Sequence, residues 1–428
     1  MKRLIDNLRK SSFLRHNAIF FVGSVAVGVL NYVYYPVLGR LLDIESYGEV
    51  QALVSLFLQM TIFLTVLSQV TVNIVANYED EEQKRRAVFE LEKLALLFFS
   101  LLFVVVLLFG WKLKSFFNFA SVWPFIILML ALVSAVPLTF RSAFLRAHQK
   151  FAATSAANLI AAGAKLLFSA TLVVIGWQTV GAIFGIVLAQ ILAFGYAVLQ
   201  ARKVGFAYPE GASWWRRPDV AALRPELKYA LLVLCGSLIV TILSSIDIFV
   251  VKHFFSAQVA GQYAGVSTVA RMIFFLTASV SQVLLPSVKV NLPAKQNRQF
   301  LLKSLALVVV LGGSACLVFG LFSHQIVTLF MGHAYARYAH LLTMLSLTMF
   351  IVSVLNLVIS YYIALRRYQI SGIVVAGALV TGALLILRHT TLDAVVSSLL
   401  YGSFIMLAML ALWRLTLFYK MRNQHVQA

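Results

Sequence analysis

Residues 34–50 read YYPVLGRLLDIESYGEV, and residues 248–266 read IFVVKHFFSAQVAGQYAGV. The first stretch closes one apolar run and opens another, passing Arg40, Asp43, Glu45 and Glu49 before and around a Tyr-Gly pair. In the second, Lys252 stands nine positions before Gly261, as Gly39–Arg40 stands about nine before Gly48. A chain that repeats one turn half its length later is expected to be built from two like halves.

The solvent of those halves follows from composition. Apolar residues make up 61% of the 428 residues and charged residues 12%, about half the charged fraction of ordinary soluble domains. So much apolar surface cannot be hidden from water, which makes lipid the main solvent. The net charge of +20 sits between apolar runs rather than in one tract, which argues against a nucleic-acid partner. Cys235 and Cys316 lie inside apolar runs and read as packing residues, with no ligand or disulfide framework. The basic start before His16 is followed by an apolar run too long for a signal peptide and lacking a small-residue cleavage site, so it reads as a retained first span.

A helix needs roughly 20 apolar residues to cross the hydrocarbon. Charges and turns mark twelve such runs: 17–39, 50–76, 94–111, 121–140, 153–176, 179–200, 229–251, 260–285, 304–322, 338–362, 368–387 and 394–413. The cut between the fifth and sixth rests only on IGWQTVG, Ile175 to Gly181. With the N-terminus inside, inner segments hold 27 Lys and Arg and outer segments 6, which predicts both termini in the cytoplasm. The acidic stretch NYEDEEQKRRAVFELEK reads as a solvated helix at the membrane surface.

The expected fold class is all-α: a polytopic membrane protein of twelve transmembrane helices, in two six-helix lobes around a central cavity. Its parts are a basic cytoplasmic segment, 1–16; an N-lobe, 17–200; a cytoplasmic linker, 201–228, with Trp214 and Trp215; a C-lobe, 229–413; and a cytoplasmic tail, 414–428. Six spans per half give both halves the same orientation, hence parallel repeats of the kind found in alternating-access carriers. A second echo supports the duplication: FLRAHQKF, Phe144 to Phe151, follows the fourth span and ALRRYQ, Ala364 to Gln369, the tenth.

GRLLDIESYGEV resembles the signature that follows the first helix of the Wzx-type polysaccharide-repeat flippases, in the superfamily that includes the multidrug and toxin extrusion transporters. DIFVVKHFFSAQVAGQYAGVSTVAR is similar to that family's second-half pattern, and FMGHAYARYAHLLTML to its stretch before the tenth helix. Asp43-Ile44 departs from the Gly-Pro usual in the first turn. The resemblance implies transfer of an isoprenoid-linked oligosaccharide across the bacterial inner membrane.

Three charges fall within spans: Lys165, Asp247 and Arg271. Each costs about 2.5–3.5 kcal/mol at a helix centre, so each requires a partner, water or a task. Lys165 and Arg271 are too deep to reach an interface and are read as cavity cations for an anionic substrate, with a charge paired into helix packing as the other reading. Asp247, near the outer end of its span, reads as a wet helix-end residue, a site for a coupling H+ or Na+, or a partner of Arg271. Asn31, Gln69, Asn158, Gln282 and Asn356 are polar residues that line a cavity or join helices, and Tyr35 and Tyr361 are stacking or interfacial aromatics. No metal site and no cofactor are expected.

Two cations against one peripheral acid favour a pyrophosphate or acidic sugar over an organic cation. The expected function is therefore a flippase for a polyprenyl-pyrophosphate-linked repeat unit. Its partners are that glycan, membrane lipids and other polysaccharide assembly proteins. The competing reading is a multidrug or small-solute cation antiporter of the same fold. An enzyme is disfavoured by short outer loops, by scattered histidines and by the lack of a phosphate-binding loop.

Overall fold

The computed structural model describes residues 12–216, 223, 230, 234, 241–242, 244–288, 292–365 and 369–426. For 12–22, 282–283, 285–287, 294, 371 and 415–426 it describes the backbone only. Among the described residues there are helices and no strands. The chain divides into two compact units, Met1–Leu231 and Leu232–Ala428.

Unit 1 contains α1 (Ser12–Leu41), α2 (Ile44–Asn77), α3 (Glu81–Phe116), α4 (Trp123–Ala147), α5 (Phe151–Leu172) and α6 (Gln178–Lys203). The turn between α1 and α2 is set by Asp43, whose side chain accepts from the Ser46 amide at 2.8 Å and caps α2. The residue that departs from the expected Gly-Pro is thus the cap itself. Asp80 caps α3, and Glu81 and Glu82 sit in its first turn, where the helix dipole favours acids.

Phe151–Lys203 is an unbroken apolar stretch of 53 residues with no charge to divide it at the turn. It is split by Gly176, at φ 105°, within a π-helical turn over Val173–Trp177, followed by Gln178 at φ 43°. Only glycine takes the first of these angles without strain, so the chain reverses there. The Ser169 hydroxyl then donates to the Ala182 carbonyl across the hairpin, at 2.7 Å. Helix α1 runs beside α5 in the same direction, Gly23 abutting Ser155 and Asn31 meeting Lys165.

Unit 2 contains α7 (Ile246–Phe254), α8 (Ala257–Ser287), α9 (Ala294–Leu321), α10 (Ser323–Met331), a 3-10 segment (His333–Tyr338), α11 (Leu341–Ala364), α12 (Ile370–Leu387) and α13 (Leu392–Val426). Ser256 caps α8 as Asp43 caps α2. Most of the seventh run and Arg366–Arg367 lie outside the described residues, and so does much of the linker.

The same packing order recurs in both units. In unit 1, α2 packs on α4, α3 on α4, α4 on α6 and α5 on α6. In unit 2, α8 packs on α11, α9 on α11, α11 on α13 and α12 on α13. The polar residue after each repeated glycine does the same work. Glu49 accepts from the Ala120 amide, at 2.8 Å, in the connection leading into α4. Gln262 donates to the Ala334 carbonyl, at 3.2 Å, in the connection leading into α11. In that connection Tyr335 is buried against Gly265, where a Cβ would stand 2.2 Å from the ring.

Eight described helices are long and apolar enough to cross a membrane, the 53-residue hairpin counting as one; Gly372–Leu387 is a shorter apolar helix. Only 22% of the most apolar window of α3 and 11% of that of α9 are buried, against 50% in α2 and 61% in α11. The uncovered faces carry Leu97, Leu101, Leu108 and Phe109 on α3, and Val310, Leu317 and Leu321 on α9. Apolar faces of that extent need hydrocarbon around them. The acidic stretch is helical as expected, but it is not a separate solvated helix. It is the start of α3, and Lys84, Glu92 and Lys93 are buried.

Candidate functional site

Helix periodicity brings Lys165 of α5 against Asn31 and Tyr34 of α1. Its half-buried ammonium donates to Asn31 Oδ1 at 2.5 Å and lies 4.4 Å from the centre of the Tyr34 ring. Among the described residues no carboxylate comes within 4.0 Å of it. Tyr34 is itself fully buried, with its hydroxyl on the Ala182 carbonyl at 3.3 Å and its ring edge-on to Tyr35 at 5.6 Å. An amide oxygen and a π-face orient this cation without cancelling its charge. A lysine ammonium carries three donors, of which the amide oxygen and the ring face take up two.

Arg271 is in a different state. Its Nη2 donates to Asp247 Oδ1 at 2.7 Å, and its Nε to the Ser244 carbonyl at 2.9 Å. The other oxygen of Asp247 accepts from Tyr263 at 2.8 Å and Ser267 at 2.7 Å. Asp247 is fully buried, which corrects the expectation of a wet helix-end residue: α8 lies over it and supplies both hydroxyls. The arginine and aspartate are therefore a neutral, hydrogen-bonded buried pair, the alternative that the sequence left open. Arg271 brings no net charge that an anion could use while this pair is made.

The remaining sequence candidates separate by environment. Gln69 and Asn158 are exposed, and Asn158 stands two turns before Lys165 on the same face of α5. Asn356 joins α11 to Ser281 of α8 at 3.2 Å. Tyr361 is buried in the apolar cluster of unit 2, edge-on to Tyr362, which fits packing rather than a sugar platform. The side chain of Gln282 lies outside the described residues.

One polar cluster escaped the sequence reading. Arg141 of α4 donates to Glu92 of α3 at 2.7 Å and to Tyr208, with its guanidinium 4.2 Å from the Phe206 ring. Burial, and then the Glu92 carboxylate, push the Tyr208 phenol above the ordinary tyrosine range. Trp214 packs on Phe89 at 4.6 Å, so residues 206–214 are clamped to the end of unit 1. The signal was a Glu and an Arg 49 positions apart near two span ends, which spacing alone does not connect.

A family described as "Polysaccharide biosynthesis protein" matches residues 13–291, well over half of the chain. The chain belongs to the polysaccharide biosynthesis protein family. This match runs from α1 through α8 and so includes Lys165, Asp247 and Arg271.

Among solved structures, the family member is similar to "Lipid II flippase MurJ, inward closed conformation", with a TM-score of 0.72 and 15% identity over 92% of this chain and 86% of that one. It is equally similar to an inward-facing multidrug resistance MATE transporter of the MOP superfamily, with a TM-score of 0.72 and 13% identity over 92% and 96%. A eukaryotic MATE transporter, AtDTX14, gives 0.65 and 13% over 95% and 96%. The family member thus has the fold of MOP-superfamily membrane transporters. No curated protein matches it by sequence.

Proposed function

We propose that this chain is a flippase that carries a polyprenyl-pyrophosphate-linked oligosaccharide from the cytoplasmic to the outer leaflet of a bacterial inner membrane. Twelve spans, two six-helix lobes and a central cavity open alternately to each side form the working structure, with both termini in the cytoplasm. Membership of the polysaccharide biosynthesis family and the fold shared with a lipid II flippase support the substrate class. It acts as a transporter rather than an enzyme. Other polysaccharide assembly proteins would supply and consume its substrate.

The observation that carries the reading is Lys165. A cation half-buried in an apolar bundle costs about 2.5–3.5 kcal/mol, and no carboxylate among the described residues offsets it, whereas an anionic substrate would. An organic-cation antiporter would place the opposite charge there. H+ or Na+ is the coupling ion, and Asp247 would accept it only after releasing Arg271. Deletion of the chain should leave a lipid-linked oligosaccharide on the cytoplasmic side. Wild-type protein should clear it, Lys165→Arg should clear part of it, and Lys165→Gln should leave more than about 90% of it. Full clearance by a well-expressed Lys165→Gln variant would refute the cationic site.

A further inference from the structure

The buried and half-buried cations of unit 1 differ in their partners. Lys84 is paired with Glu81 at 2.5 Å, Lys93 with Glu90 at 3.0 Å and Arg141 with Glu92 at 2.7 Å. Among the described residues Lys165 has no such partner, and neither has Arg146. Arg146 belongs to FLRAHQKF, and it lies five residues beyond Arg141 on the same helix, α4. Its guanidinium is half-buried between α4 and α2, and one Nη donates to the Ser68 hydroxyl of α2. Its Nε is buried and finds no acceptor among the described residues, and no carboxylate lies within 4.0 Å.

Two arginines little more than a turn apart on α4 therefore carry opposite assignments. Arg141 has a carboxylate, a phenol and aromatic faces, so its charge is spent on packing. Arg146 keeps its charge, one buried donor and a planar fork that suits a bidentate oxyanion, held in place by a neutral hydroxyl. A buried donor left without an acceptor is unfavourable, and a turn of the side chain that brings Nε to a phosphate oxygen would satisfy it. A rise of 1.5 Å per residue puts Lys165 roughly 20 Å along α5 from the turn at which Arg146 sits. Unit 1 thus holds Lys165 within it and Arg146 in the last turn of α4, both half-buried and neither with a carboxylate within 4.0 Å among the described residues.

We infer that Arg146 is a phosphate-binding residue at the mouth of unit 1, which receives the phosphorylated head of a lipid before that head reaches Lys165. This rests on the flippase reading in naming the lipid pyrophosphate as the ligand. The shared chemistry is a phosphate on a lipid, and it can come from the substrate class or from an anionic phospholipid. Ser68 positions the guanidinium.

The test is binding to full-length protein in nanodiscs made of zwitterionic lipid, read by tryptophan fluorescence with farnesyl pyrophosphate, phosphatidylglycerol or inorganic pyrophosphate as the probe. Wild-type protein should bind farnesyl pyrophosphate, and Arg146→Gln should weaken it at least tenfold. Arg146→Lys should fall between the two, and Ser68→Ala should weaken it two- to fivefold. Thermal melting of each variant separates lost binding from lost fold. A purely structural strut would lower the melting temperature in Arg146→Gln and Ser68→Ala alike and leave binding by the folded fraction unchanged, which overturns the proposal. Equal loss for phosphatidylglycerol and farnesyl pyrophosphate would assign the site to membrane phospholipid rather than to substrate and overturn its role ahead of Lys165. If Lys165→Gln loses farnesyl pyrophosphate and Arg146→Gln does not, the flippase reading stands and this inference fails. If wild-type protein binds no lipid phosphate, both fail.

Discussion

Lys165 and Arg271 look alike in sequence, each a lone cation deep in an apolar run, yet their surroundings separate them. Lys165 meets an amide oxygen and a ring. Arg271 meets a carboxylate whose other oxygen accepts from two hydroxyls. Their substitutions should therefore fail differently. Arg271→Ala leaves Asp247 buried without its cation, which should cost about 3–5 kcal/mol of stability. A fall in melting temperature in detergent checks this, and Arg271→Ala combined with Asp247→Ala should recover much of it. An Arg271→Ala protein as stable as wild type but unable to transport would instead make Arg271 a substrate contact. Depth within a span was legible from the sequence for both residues, because it follows from counting. The partner was not, because Asp247 lies 24 positions from Arg271 and only the packing of α8 over the end of the seventh run joins them.

At the scale of the element, the apolar runs fall inside helices that begin earlier, at Ile44, Glu81 and Ala294 against runs from 50, 94 and 304, because capped and charged first turns extend each helix beyond its apolar run. Asp43 and Ser256 begin α2 and α8, and the repeated stretches that first suggested duplication are these two capped turns. The uncharged cut between α5 and α6 rested on a glycine, and Gly176 at φ 105° is where the reversal occurs. No atom stands within 4 Å of an added Cβ there, so Gly176→Ala would suffer from the backbone angle alone, by about 1–3 kcal/mol. Gly176→Asn should be milder than Gly176→Val, and detergent melting curves of the three variants would check the order. Glu49 pins two connections at once, through the Ala120 amide and the Thr179 hydroxyl at 2.9 Å. Glu49→Ala should destabilise by about 1–3 kcal/mol and speed hydrogen exchange at residues 117–122, whereas Glu49→Gln keeps an acceptor and a donor and should change little. Unchanged exchange in Glu49→Ala would show that the connection is held by other contacts. The burial of Lys84, Glu92 and Lys93 was not legible, since a charge-rich run reads as solvated until residues 206–214 are seen folded onto it.

For the whole molecule, composition pointed to a lipid solvent and the repeat to a recurring packing order, and both act through long stretches rather than single contacts. The recurrence of one packing order in two units, with α3 and α9 both sparsely covered, is what a duplicated bundle in lipid produces. The cargo is a question of charge. The central claim is that an uncompensated cation in unit 1 meets the phosphate of a lipid-linked glycan. Its most direct test is transfer in proteoliposomes: purified protein, a fluorescent polyprenyl-pyrophosphate oligosaccharide, and a membrane-impermeant quencher to read the leaflet. Wild-type protein should move the probe under an imposed H+ or Na+ gradient, and Lys165→Gln should lower the rate at least tenfold while a fluorescent organic cation is not moved by either. Transfer of the organic cation by wild-type protein, with none of the oligosaccharide, would contradict the account.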